Sequence, residues 1–279
     1  MKFYSMFSGI GGFDLGLERA GHECVGACES NDTAAGIYSR HWPHVEVDGN
    51  ARTVDPGCLP RVDLLTAGFP CQPFSSAGTK GGVSSIDGSL FAEALRVAGA
   101  REVPYVLFEN VVGLLHNDRG RSFWEILSAM DERGYDAEWQ CINGNCFLPQ
   151  NRNRVFIVGR LRGSPTRQVL PITKGEEGDE GARGPPRGKG KRLRHNDHAG
   201  TLVASYWKRR SPMIEESGDR VRMLTPLEYE RLQGFPEGFT EKMADGRTVS
   251  NTSRYVCLGN AVMVPVAEFL GERLAEAAA

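Results

Sequence analysis

No stretch of eighteen apolar residues occurs in the 279-residue chain, so no segment suits a membrane-spanning helix. Gly9, Gly11, Gly12 and Asp14 interrupt the start before the apolar core of a secretory leader develops. The expectation is a soluble, cytoplasmic protein with no membrane partner. A disulfide framework is missing as well. Seven cysteines, Cys24, Cys28, Cys58, Cys71, Cys141, Cys146 and Cys257, are an odd and scattered set, which fits a reducing compartment. Cys24 with Cys28, and Cys141 with Cys146, have spacings that zinc sites use, yet no second Cys or His pair follows at finger-like distance. They read as small core residues, and no metal is expected.

Strong net charge is also lacking, at −2 overall, which argues against nucleic-acid binding until the charge is mapped along the chain. Residues 160–222 carry 15 Lys and Arg against 8 Asp and Glu, leaving 18 against 27 elsewhere. One segment is basic on an otherwise acidic protein. With 40% apolar and 24% charged residues, the length suffices for one catalytic domain plus a smaller lobe. No internal repeat is visible.

The first 160 residues alternate β-like apolar runs with helical patterns, the mark of βαβ units on a largely parallel sheet. Strands are expected at Phe3–Phe7, Glu23–Cys28, Val62–Ala67, Tyr105–Glu109, Ala137–Asn143 and Arg154–Gly159. Helices are expected at Phe13–Ala20, Asp32–His41, Ser89–Ala98 and Arg121–Glu132, then at Pro226–Gln233 with Thr225 as N-cap, and at Val262–Ala277. Periodicity fails from Gly163 to about Asp197, where Gly, Pro, Glu and Arg dominate; a linker or loop is one reading. A more ordered stretch, Thr201–Trp207, follows and runs into Lys208-Arg209-Arg210.

The first strand leads into Phe7-Ser8-Gly9-Ile10-Gly11-Gly12. Glycines between strand and helix let the backbone approach a ligand, but this spacing is neither the dinucleotide fingerprint nor a P-loop. Glu29 follows the second strand, placed either to accept ribose hydrogen bonds or as a solvated loop acid. Gly68-Phe69-Pro70-Cys71-Gln72-Pro73 brings one thiol to the mouth of the sheet in a Pro-bounded turn, where backbone donors favour a thiolate. The Gly/Ser-rich residues Ser75 to Gly88 after it suit a closing lid. Glu109 ends the next strand, where a carboxyl beside a thiol can carry a proton to a ring nitrogen. Gln150-x-Arg152-x-Arg154 puts two guanidinium groups on one strand face, able to orient a base carbonyl or phosphate, or simply a solvated edge.

Taken in order, these segments resemble the DNA cytosine-C5 methyltransferase family. Phe7-Ser8-Gly9-Ile10-Gly11-Gly12 is similar to its first cofactor motif, Pro70-Cys71-Gln72 to its nucleophile motif, and Glu109-Asn110-Val111 to its acid motif. Gln150-x-Arg152-x-Arg154 resembles its paired-arginine motif, and Arg222 to Glu228 with Leu232 to Pro236 the motif supporting the recognition lobe. Gly259-Asn260-Ala261-Val262 resembles the last motif, which returns to the cofactor pocket. Two positions depart from the family pattern: Ser5 and Asn50 stand where it commonly has Asp. Asn50 can still accept from the adenine amino group through its side-chain carbonyl.

The resemblance implies a Rossmann-like, S-adenosylmethionine-dependent α/β fold with a mixed, mostly parallel sheet. Residues 1–160 completed by 255–279 would form the catalytic domain, and 161–254 a small target-recognition lobe. It implies a methyl-donor pocket, releasing S-adenosyl-L-homocysteine, built from Phe7, Gly9, Ile10, Gly11, Gly12, Glu29, Ser30, Asn50, Ala51, Pro70, Leu90, Asn260 and Val262. Cys71 would add to C6 of a flipped-out cytosine, Glu109 would hold or protonate N3, Arg154 would bind O2, and Arg152 would help fix that arrangement. Double-stranded DNA would be held by Gln72, Ser75, Arg192, Arg194, His195, Tyr206, Lys208, Arg209 and Arg210. A companion restriction endonuclease, a monomeric state and association with the nucleoid complete the expectation. A related branch acting on transfer RNA is disfavoured by the basic Gly-rich segment and the absence of a Cys-Phe-Thr tripeptide. A catalytically dead regulatory relative and an ordinary Rossmann oxidoreductase are the remaining rivals, disfavoured by the intact reactive set and by the glycine spacing.

Overall fold

The computed structural model describes residues 1–70, 89–165, 167–170, 202, 213–216 and 220–279. Seven strands form one sheet: β1 (Lys2–Met6), β2 (Glu23–Cys28), β3 (Val47–Asp48), β4 (Leu64–Ala67), β5 (Tyr105–Val111), β6 (Tyr135–Asn143) and β7 (Asn153–Leu161), in the order β3-β2-β1-β4-β5-β7-β6. All neighbours are parallel except β7, which runs antiparallel to both β5 and β6. β1 and β4 are central and covered on both faces, which is why their sequences read as near-continuous buried runs.

Helices α1 (Gly12–Arg19), α2 (Asp32–His41), α3 (Leu90–Ala100) and α4 (Arg121–Glu132) make the crossovers, and α5 (Pro226–Gln233), α6 (Asn251–Asn260) and α7 (Val264–Ala278) follow. Their starts obey local chemistry. Asn31 and Ser89 accept main-chain N–H groups at the heads of α2 and α3. Thr225 and Glu228 form a reciprocal capping box on α5. α7 returns to the start of the chain and lies against α1. An added Cβ at Gly16 would come within 2.6 Å of Val264 O and of Ala267, so only glycine permits the contact. Tyr229, Phe235, Phe239 and Val249 share one apolar core with Phe3, Phe13 and Trp42, so α5 and the loop after it are seated on the sheet domain. Among the described residues no helix is long and apolar enough to cross a membrane.

The expected strands and helices form with ends shifted by at most two residues, while β3, α6 and a two-stranded hairpin were not expected. β3 has two residues, too few to show periodicity. α6 was not expected; Ser250 caps it by accepting from Ser253 N. A hairpin of β8 (Met213–Glu216) and β9 (Arg220–Met223) stands after the ordered stretch anticipated at 201–207, of which only Leu202 is described. α7 starts at Val264, two residues later than expected, because Pro265 belongs in a first helical turn and Met263 before it is extended at the N-cap.

Candidate active site

Chain order reverses between β1 and β4, and at that point a cavity of about 490 Å³ opens outside the carboxyl ends of β1, β2, β4 and β5. Eleven of the thirteen expected cofactor residues line it: Phe7, Gly9, Gly12, Glu29, Ser30, Asn50, Ala51, Pro70, Leu90, Asn260 and Val262. Ile10 and Gly11 do not. Ile10 is wholly buried in the core, and Gly11, with φ 84°, forms the N-cap of α1 and packs on Trp42.

The loop after β1 is held from several sides. Phe7 has φ 54°, a left-handed conformation costly for a bulky residue and found where a ligand or turn demands it. Glu29 accepts Gly9 N at 2.8 Å and Asn31 N at 2.7 Å, so its carboxylate ties the β1 and β2 loops together while still facing the cavity. The Asn50 side-chain carbonyl accepts Arg52 N at 3.0 Å within its own turn. A methyl group on Gly12 would overlap the carbonyl oxygen of Val262, so the glycine loop and residues 259–262 meet without side chains between them.

Ser5, the departure on β1, donates to Asp14 Oδ2 at 2.9 Å. Asp14 is fully buried and also receives Tyr38 OH at 2.8 Å. A carboxylate is therefore present beside Ser5, supplied by α1 instead of the strand. Burial pushes its pKa up to about 6, against the hydrogen bonds from Tyr38 and Ser5.

At the other end of the cavity, Glu109 Oε1 lies 2.8 Å from Arg154 Nε. The antiparallel register explains the pair. Glu109 faces Phe156 and Val111 faces Arg154, so Glu109 and Arg154 are diagonal neighbours on one face. Burial pushes the Glu109 carboxyl above its usual range, opposed by Arg154 and Arg152. Asn110 Nδ2 donates to Phe69 O at 2.9 Å and its Oδ1 accepts Val111 N at 2.8 Å, fixing the chain that leads from β4 through Pro70. Phe69 is wedged against Phe91 and Phe108.

Arg152 also reaches this cavity, but its guanidinium serves the main chain: Nη1 donates to Leu202 O, and Nη2 to Gly259 O and Ala261 O. Desolvation, then the neighbouring Arg154, pushes its pKa down to about 9.

Cys71, Gln72, Ser75, Arg192, Arg194, His195, Tyr206, Lys208, Arg209 and Arg210 lie outside the described residues. Two other cysteines, Cys28 and Cys257, line the cavity. Burial pushes both thiols up to about 12, so neither supplies a thiolate near neutral pH. Sequence reasoning missed Asn31, Asn110, Val256 and Cys257 as lining residues. The last two sit on the unanticipated α6; Asn110 stood inside a recognised motif without a role.

The cavity suits an S-adenosylmethionine-type donor in the chemistry of its walls. Phe7, Pro70 and Leu90 offer apolar surface, Glu29 a carboxylate for hydroxyl groups, and the glycine loop close backbone approach. Ser8, also in the lining, has its Oγ buried without a hydrogen-bond partner among the described residues.

Comparison with known proteins agrees with this geometry. The family model for C-5 cytosine-specific DNA methylases matches residues 1–180 and 186–276. The chain is 30% identical over 303 residues to the type II methyltransferase M2.BsuMI of Bacillus subtilis, covering 99% of this chain and 76% of that protein. It is 31% identical over 305 residues to the type II methyltransferase M.NlaX of Neisseria lactamica, covering 98% and 96%. Among solved structures, a variant of Spodoptera frugiperda DNMT2 superposes with TM-score 0.72 at 17% identity, covering 98% of this chain and 99% of that one. The Dnmt2 methyltransferase of S. pombe superposes with TM-score 0.71 at 20% identity, covering 99% and 98%.

Proposed function

Because the chain belongs to the family of C-5 cytosine-specific DNA methylases, and so transfers methyl groups to cytosine C5 in DNA from an S-adenosylmethionine-type donor, we propose that it does so through a covalent adduct between Cys71 and C6 of a flipped-out base. Cytosine C5 is too weak a nucleophile to attack a methyl sulfonium unaided. Addition of the Cys71 thiolate forms an S–C6 bond and moves an electron pair toward C5, while the Glu109 carboxyl holds or gives a proton at N3. Arg154, paired with Glu109, binds O2 and offsets charge developing on the ring. The donor, S-adenosyl-L-methionine, supplies an electrophilic methyl group and leaves as S-adenosyl-L-homocysteine. Loss of the C5 proton then expels the Cys71 thiolate and restores the aromatic ring. A cytosine inside a duplex cannot reach such a cavity, so it must rotate out of the stack.

The Glu109–Arg154 pair carries this reading: a proton-holding carboxyl and a guanidinium at the far end of the cavity whose other end is the glycine loop. Phe69 and Pro70, the two residues that precede Cys71 in sequence, line the cavity, and Asn110 holds the Phe69 carbonyl there, which supports the reading. Cys71→Ala is expected to abolish methyl transfer to duplex DNA while leaving S-adenosylhomocysteine binding within about threefold of wild type. Turnover like wild type in that variant would sink the mechanism.

Residues 161–254 are read as the target-recognition lobe, its later part seated on the sheet domain through α5. Arg192, Arg194, His195, Tyr206, Lys208, Arg209 and Arg210, with Gln72 and Ser75, are its candidate contacts to double-stranded DNA. A cytoplasmic, nucleoid-associated monomer with a companion restriction endonuclease is in keeping with relatives named type II methyltransferases. Bisulfite sequencing of DNA from cells expressing the chain identifies base and context together.

A further inference from the structure

Arg152 joins two segments that are distant in sequence. It is 3% exposed. Nη1 donates to Leu202 O at 3.1 Å, and Nη2 donates to Gly259 O at 3.1 Å and Ala261 O at 2.8 Å. The carboxylate at this end of the cavity pairs with Arg154 instead. A buried guanidinium resists losing any of its acceptors, because an N–H left bare in the interior costs its full desolvation. The three carbonyls are therefore fixed relative to one another, and a displacement of one is felt by the others.

The three carbonyls belong to two segments, residues 259–261 in the cavity wall and Leu202 in the basic stretch of the sequence. Gly259 and Ala261 flank Asn260 in the cavity wall, and the next carbonyl, that of Val262, abuts Gly12 of the glycine loop. Leu202 is wholly buried in the core. It stands in sequence between Arg194 and Tyr206, within the basic segment. We infer that Arg152 is a positioning residue through which duplex DNA and the methyl donor raise each other's affinity, by way of Leu202 on one side and Gly259–Ala261 on the other. This rests on the reading of residues 161–254 as the DNA-binding lobe. Coupling of this kind is reciprocal: whatever factor DNA adds to donor affinity, the donor adds to DNA affinity.

Calorimetric titration of the full-length protein with S-adenosylhomocysteine tests this, alone and saturated with a duplex carrying the site mapped by bisulfite sequencing. DNA is expected to tighten cofactor-product binding by about tenfold or more in the wild type, and by less than about twofold in Arg152→Lys. A lysine keeps the charge but cannot span three carbonyls. Wild-type coupling that persists in Arg152→Lys overturns the inference, as does a wild type without coupling. Should the variant fail to fold, hydrogen exchange in the wild type decides the matter. DNA added without cofactor is expected to slow exchange in a peptide covering 255–263, and unchanged exchange there overturns the inference. Methyl transfer to the same duplex, measured in parallel, separates the two possible failures. Normal turnover without coupling removes only the role of Arg152, whereas absence of both turnover and DNA binding removes the DNA-lobe reading with it.

Discussion

Arg154 and Glu109 meet at 2.8 Å across the β5–β7 ladder, each largely shielded from water. Removing the guanidinium leaves a carboxylate that burial already disfavours. Arg154→Ala is expected to cost about 3 kcal/mol of stability at pH 8. The loss shrinks as the pH falls and Glu109 takes up a proton. Urea unfolding at pH 5 and pH 8 checks this; an equal loss at both would show that the carboxylate is not the affected group.

Catalysis should titrate with the same carboxyl. In the proposed mechanism the protonated form does the work, and burial raises its pKa, so kcat/KM is expected to hold through the ordinary carboxylate range and to decline on the alkaline side. Glu109→Gln should lower kcat by about 100-fold or more and remove that alkaline limb. A pH–rate profile of the residual activity that keeps the limb would assign it elsewhere.

Asp14 gives a pH dependence of stability with a defined sign. Its folded pKa, about 6, is above its ordinary 3.8, so between these values the folded protein binds more protons than the unfolded chain. The contribution is full below about pH 4 and is lost as the pH rises through about 6. Asp14→Asn removes that slope. The stability difference between variant and wild type should move in the variant's favour by up to about 3 kcal/mol between pH 4 and pH 7. Parallel denaturation curves across that range would contradict it.

Gly12→Ala places a methyl group against the Val262 carbonyl. Backbone cannot yield there as a flexible side chain would, so residues 259–262 must shift out of the cavity wall. Affinity for S-adenosylhomocysteine is expected to fall by about 100-fold, near 3 kcal/mol, with duplex affinity in the absence of cofactor little changed. Calorimetry for the first and fluorescence anisotropy for the second give the comparison.

Asn110→Asp exchanges the amide donor toward Phe69 O for an acceptor. The segment leading to Cys71 then loses its tether. Trapping on a 5-fluorocytosine duplex is expected to slow by about tenfold, with cofactor affinity retained. Trapping at the wild-type rate would mean that Phe69 and its aromatic neighbours hold the segment without help.

What could be read from the sequence follows from where each element's information resides. α2 occupies its expected span because the Asn31 cap and the apolar spacing are properties of adjacent residues, and α4 does so on its apolar spacing alone. Glu109 and Arg154, which pair at the cavity, stood out in the sequence because their chemistry is in the side chain and their motifs are contiguous. The partners of Arg152 were not recognisable: they are carbonyls 50, 107 and 109 residues away, and every residue has a carbonyl. The carboxylate beside Ser5 was hidden for a related reason, since Asp14 reaches that spot from α1 nine residues on. α6 escaped notice because its buried positions include Arg254, Tyr255 and Gly259, which do not read as an apolar stripe.

The packing of α7 on α1 bears on the order in which the protein becomes competent during synthesis. Gly16 rests on Val264 and Ala267, and Gly12 on Val262, so the wall against the glycine loop is translated some 250 residues after that loop. Until that stretch emerges, β1 can pair with β2 and β4 and part of α1 can pack on them, but the side of α1 and of the glycine loop that meets residues 262–267 stays uncovered. Donor binding is then among the last properties the growing chain acquires, and a ribosome stalled anywhere before residue 262 holds a polypeptide without a closed methyl-donor site.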